Sequence, residues 1–123
     1  MRPVTNLARE LFQSTPNQNA KGKSGMLVHT VFFWLDPQLN AEQLVEFETR
    51  LSRLLTIGAV KHGFIGKPSS TNRPIIDRTY SWGLTLVFEN LEKHDEYQVD
   101  PLHKEFVDNC NQMWIKVTIY DFE

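Results

Sequence analysis

The chain predicts an α+β fold of the ferredoxin-like type, a four-stranded antiparallel sheet with helices on one face. Three observations predict it. Between residues 26 and 122 the apolar periodicity runs strand, helix, strand, strand, helix, strand. The second helical stretch is broken at Asp100-Pro101, because proline disfavours helical geometry in the residue before it. The first and last strands are apolar on both sides, more than two helical layers on one face can cover.

The elements follow in order. Residues 1–25 read as a flexible N-terminal arm. Gln13 to Gly25 is a polar run of linker composition without the apolar centre of a secretory signal. A single domain is expected over residues 26–123. Met26 to Leu35 is the first strand, with Leu27, His29, Val31, Phe33 and Leu35 on one face and Val28, Thr30, Phe32 and Trp34 on the other. Asp36-Pro37 ends it. Asn40 caps a helix with Gln43 at the capping-box position, and Leu44, Phe47, Leu51, Leu54 and Leu55 form its apolar stripe as far as Gly58.

Val60 to Lys67 is a second strand weakened by Gly63 and Gly66, with Val60, His62 and Phe64 alternating. His62 has no assigned role. The loop from Pro68 to Arg78 is long enough to border a pocket, where Arg73 and Arg78 meet an anion or simply stay solvated. Tyr80 to Phe88 is the clearest strand. Asn90 caps a short helix carrying Leu91, His94 and Tyr97, and His94 is expected in solvent between Lys93 and Asp95. Asp100 caps the next helix and Pro101 opens it, at a position where its missing N–H costs nothing. Phe106, Val107 and Cys110 fall at core spacing. Trp114 to Phe122 closes the sheet, with Ile115, Val117 and Ile119 opposed to Trp114, Tyr120 and Phe122.

The composition narrows the function. At 123 residues the chain is large enough for a real core. Its formal net charge is −2 without a basic run, which argues against a nucleic-acid partner. No apolar run approaches the ~18 residues of a membrane span. One cysteine, Cys110, excludes an internal disulfide and fits the reducing cytoplasm. A sheet face bearing Phe and Trp is a larger patch than a monomer leaves in water, so a homodimer with the sheets face to face is expected.

The candidate site centres on Tyr97 and His103. His103 sits in the first turn of its helix, where the N-terminal dipoles favour neutral imidazole, while Asp100 favours the cation. A base acting near neutrality needs such a balance. Tyr97 is placed to donate a hydrogen bond to a developing enolate oxygen. The competing reading is a helix corner into which Tyr97 and His103 are packed. His29 reads as a core histidine before a ligand contact. No spacing of His, Cys, Asp or Glu resembles a metal site, and there is no phosphate loop or nucleophile elbow.

From Met26 to Phe122 the chain resembles the stress-responsive dimeric α/β-barrel (Dabb) family. The resemblance is carried by Val28-His29-Thr30-Val31, by Tyr80-Ser81-Trp82-Gly83-Leu84 leading to Val87-Phe88-Glu89, by Tyr97-Gln98-Val99-Asp100-Pro101-Leu102-His103, and by Tyr120-Asp121-Phe122. It implies a dimeric barrel of ferredoxin-like protomers. A plant member, olivetolic acid cyclase, closes a linear polyketide without metal or cofactor, and its catalytic Tyr and His match Tyr97 and His103. Its first-strand His matches His29. Two departures stand out. Asp100 replaces the first His of the family's His-Pro pair, and Trp82 replaces a third-strand His, making the expected pocket bulkier and more apolar.

The expected site is therefore His103 and Tyr97 as catalytic residues and His29, Trp82 and Asp100 as substrate contacts, with no metal or cofactor. The expected activity is acid–base chemistry on a small apolar carbonyl compound, cyclisation or isomerisation, with cofactor-independent oxygenation as its neighbour. The alternative is a non-catalytic, stress-responsive dimer that binds a small apolar ligand or only packs.

Overall fold

The computed structural model describes residues 25–123, so the expectation for the N-terminal arm lies, Gly25 apart, outside the described residues. Four strands form one antiparallel sheet: β1 (Leu27–Leu35), β2 (His62–Gly66), β3 (Trp82–Phe88) and β4 (Trp114–Phe122), in the spatial order β2-β3-β1-β4. Three helices accompany them: α1 (Ala41–Arg53), α2 (Leu91–Gln98) and α3 (Pro101–Cys110). This is the ferredoxin-like α+β arrangement that the element order predicts.

The central pair, β1 and β3, alternates strictly. Leu27, His29, Val31, Phe33 and Leu35 are buried, as are Trp82, Leu84, Leu86 and Phe88, while the residues between them are half-buried. The buried side faces the helices. There Phe33 packs its ring against Phe47, Phe106 and Trp114 at centroid distances of 5.3, 5.8 and 5.3 Å. The other side carries Phe32, Trp34, Thr30 and Thr85, with Phe64, Tyr120 and Phe122 each more than half exposed.

Local chemistry explains the element ends. Asn40 accepts the Gln43 N–H at 2.8 Å, and the Gln43 side chain accepts the Asn40 N–H at 2.9 Å, a complete capping box. Phe47 and Leu51 bury the helix, and a 3-10 turn at Leu54–Thr56 carries the stripe on. Leu44, expected on that stripe, is 43% exposed, while Phe47 and Leu51 are fully buried. Val60 belongs to a turn rather than β2, its N–H bonded to the Ile57 carbonyl at 2.9 Å. Gly63 admits a close approach: a Cβ there would lie 2.7 Å from Leu55 and 2.9 Å from Leu86 side-chain carbons. The last strand departs most from expectation. A bulge opposite Trp34 and Leu35 takes Trp114 to the helix side, where it is buried, and leaves Ile115 exposed.

Candidate functional site

The sequence folds so that one corner and two strands converge. Asn90 caps α2 by accepting the Lys93 N–H at 2.9 Å, and the helix ends at Gln98. Asp100 then accepts the Leu102 N–H at 2.9 Å, and Pro101 occupies the first position of α3. This corner brings Tyr97 and His103 into edge contact, with ring centroids 4.7 Å apart. Both are buried, at 2% and 7% exposure.

They line a cleft between the sheet and helices α2 and α3, together with His29 from β1, Gln98, and an apolar wall that includes Phe33, Phe106 and Trp114. The cleft measures about 410 Å3 out to its open mouth, but only about 30 Å3 admits the centre of a water molecule. That interior has room for about two waters. It lies within the one chain, on the helix side of the sheet and not on its open face.

His29 is 3% exposed, and its Nδ1 lies 2.5 Å from Asp121 Oδ1 on the neighbouring strand. Its ring lies 5.8 Å from Tyr97 and 5.1 Å from His94. His94 is fully buried, which corrects the expectation that it lies in solvent. Helix phase decides this: His94 shares a face with Leu91, Tyr97 and Gln98, three or four residues distant, while the partly exposed Asp95 keeps its Oδ1 3.8 Å from His94 Nδ1. Gln98 places its amide nitrogen 3.2 Å from His94 Nε2. Burial, and after it the Asp121 carboxylate, push the Tyr97 phenol well above its ordinary value, so it is a neutral donor.

Two expected contacts lie elsewhere. Trp82 is buried at the start of β3 with the Lys67 ammonium 5.2 Å from its ring centre, and it is not part of the cleft lining. Asp100 is engaged as the α3 cap and also stands outside the lining. Arg73 and Arg78 are exposed, and Arg78 donates to the Ser69 carbonyl at 2.8 Å within its own loop.

Sequence spacing missed Asp121, His94, Gln98 and Trp114. Strand alternation offered a signal for Asp121: it falls on the same face as Val117 and Ile119, a carboxylate on a core face. His29, His94 and Asp121 also present ligand atoms within 4.8 Å of one another, a donor set of the kind zinc or iron accepts. The 2.5 Å between His29 and Asp121 is a hydrogen-bond distance. Neighbouring ligands on tetrahedral zinc stand about 3.3 Å apart, so these groups would have to separate to take a metal.

Comparisons with known proteins agree with this architecture. No curated protein matches the chain. Among solved structures, a Dabb family protein with a ferredoxin-like fold from Mesorhizobium loti is 26% identical, with a TM-score of 0.65 over 80% of this chain and 96% of that one. A hydroxynitrile lyase from Passiflora edulis is 16% identical, with a TM-score of 0.68 over 81% of this chain and 94% of the other. A dimeric protein of unknown function and ferredoxin-like fold from Bacteroides fragilis is 19% identical, with a TM-score of 0.62 over 80% and 96% of the two chains. The family model for the stress responsive A/B barrel domain matches residues 27–123, and the chain belongs to that family.

Proposed function

We propose that the protein is a homodimer whose protomers each use the Tyr97–His103 cleft for cofactor-free acid–base chemistry on a small, mostly apolar carbonyl compound. The observation that carries this is the contact of a neutral, buried Tyr97 with His103 in a cleft that His29 also lines. In this reading His103 removes a proton next to the carbonyl. Tyr97 hydrogen-bonds the oxygen on which charge develops. Asp121 fixes the ring of His29, whose other nitrogen is left to orient the substrate. The hydroxynitrile lyase among the fold neighbours supports the idea that this architecture can host lyase chemistry.

The dimer is supported by the apolar open face of the sheet and by the dimeric neighbours. No helix among the described residues is long and apolar enough to cross a membrane.

The narrow interior of the cleft favours a second reading, a dimer that binds a small apolar ligand or only packs, with Tyr97 and His103 as a structural corner. One experiment separates the two. Purified protein is screened against phenolic and polyketide-like carbonyl compounds, alongside His103→Ala and Tyr97→Phe. Catalysis predicts turnover that falls on the order of 100-fold or more in His103→Ala while the variant stays folded. Turnover that survives both substitutions sinks the assignment. A His103→Ala variant whose melting temperature drops sharply, with no activity found in the parent, supports the packed corner.

A further inference from the structure

His29, His94 and Asp121 stand far apart in the sequence, and the fold closes them into one cluster. His29 and Asp121 are direct partners across β1 and β4, so their side chains project from the same face of the sheet. Helix α2 lays His94 on that face, its ring centre 5.1 Å from that of His29 and 5.3 Å from that of Phe88. One ligand atom from each of the three lies within 4.8 Å of the other two. The cluster is held away from water: His29 is 3% and His94 0% exposed, and the Asp121 side chain 9%.

We propose that these three side chains bind a zinc-type divalent ion, with water as the fourth ligand. The site goes beyond the functional reading above, which needs no ion. Two imidazoles and one carboxylate are a ligand set of zinc sites that keep an open position. Mg2+ and Ca2+ are disfavoured, since hard cations take oxygen ligands and two of the three here are nitrogens. The rearrangement is small. Ligand atoms on tetrahedral zinc stand about 3.3 Å apart, so the 2.5 Å contact of His29 with Asp121 opens by about 0.8 Å. No other pair closes by more than about 1.5 Å. Side-chain rotation covers such distances while the strand backbones stay in place. Either nitrogen of His94 has outer support. Asp95 Oδ1 lies 3.8 Å from Nδ1, and the Gln98 amide nitrogen lies 3.2 Å from Nε2. Whichever nitrogen meets the ion, the other has a polar neighbour to hold the ring. If Nδ1 is the ligand, the Gln98 amide turns over and accepts from Nε2–H through its carbonyl oxygen, which now has no hydrogen-bond partner. The rings of Phe88 and Tyr97 stand 6.3 and 5.8 Å from that of His29, and such apolar walls strengthen the pull between ion and carboxylate. His29 also lines the cleft, which leads in from solvent.

The test uses the full chain, treated with EDTA and then titrated with Co2+ and Zn2+. Co2+ is expected to bind at one equivalent per chain with the strong visible absorption of a four-coordinate ion. Zn2+ should abolish that absorption, with a Kd of about 10 μM or tighter. In nitrogen-15 NMR of the unaltered chain, one equivalent of Zn2+ should shift the ring signals of His29 and His94, while the exposed His62 on β2 stays still. Asp121→Asn and His94→Gln, each checked for a native spectrum, should weaken Zn2+ binding by about 100-fold or more, above the loss that an outer partner causes. His62→Ala should leave it unchanged. A Kd weaker than about 10 μM, the weak absorption of six-coordinate Co2+, or affinity that survives either ligand substitution overturns the proposal and leaves a packed histidine beside a His–Asp hydrogen bond. Where a variant fails to fold, the histidine signals of the unaltered chain decide: Zn2+ that leaves His29 and His94 unmoved overturns the proposal as well.

Discussion

At the scale of single residues, the interior of this protein is unusually rich in groups that can ionise: Tyr97, His29, His94, His103 and Cys110 are all buried. Two of them predict how stability depends on pH. Burial pushes the Cys110 thiol up to about 12 from 9.0 and raises the Tyr97 phenol from 10.0. The folded chain keeps both protons while the unfolded chain releases them. Stability from these groups is therefore complete below about pH 9 and is lost as pH rises above it. Urea unfolding from pH 7 to 11 should show a midpoint that is flat at first and then falls, and Cys110→Ala should delay the onset of that fall. A midpoint that rises between pH 9 and 11 contradicts the burial argument. Tyr97 and His103 were legible in the sequence because a proline fixed the corner between them. Asp121 was legible only as a carboxylate on an apolar strand face, without its partner 92 positions away, and His94 was not, because neighbouring elements set the phase of its helix.

At the scale of elements, short polar signals decide where structure begins, and packing decides where it faces. The reciprocal Asn40–Gln43 bonds, the Asn90 cap and the Asp100-Pro101 start were readable because each is a local bargain between a side chain and orphan backbone N–H groups. Asn40→Ala should cost about 1 kcal/mol in unfolding free energy, seen as a lower urea midpoint with an unchanged slope. Asn40→Asp should retain most of that stability, and an alanine variant with no loss would mean that the cap contributes nothing. The bulge at Trp114 was not readable, since an extra residue in β4 arises only from its pairing with β1. It reverses the expected face of Trp114, and with it one wall of the site. Gly63 gained a reason that its sequence context did not supply, the close approach of Leu55 and Leu86.

At the scale of the whole molecule, the sheet divides its labour between two faces. The helix side holds the core and the cleft, complete within the one chain. The other side carries Phe32, Trp34, Phe64, Tyr120 and Phe122, tied at its edge by the Lys116 ammonium 4.4 Å from the Trp34 ring centre. The two-sided apolar pattern of β1 announced this from sequence, and the structure settles which of the adjacent phenylalanines looks outward: Phe33 is 3% exposed in the core, and Phe32 is on the open face. A face-to-face pairing that buries about 800 Å2 per protomer is an interface of ordinary size for a specific dimer. At about 25 cal/mol per Å2 of apolar area, the gross gain exceeds typical association costs. Sedimentation velocity at micromolar concentration tests this most directly. The unmodified protein should sediment at twice its 14.3 kDa chain mass, and Phe32→Asp should shift it to monomer or unfold it. A folded monomer of the unmodified chain at that concentration would contradict the homodimer on which this account rests.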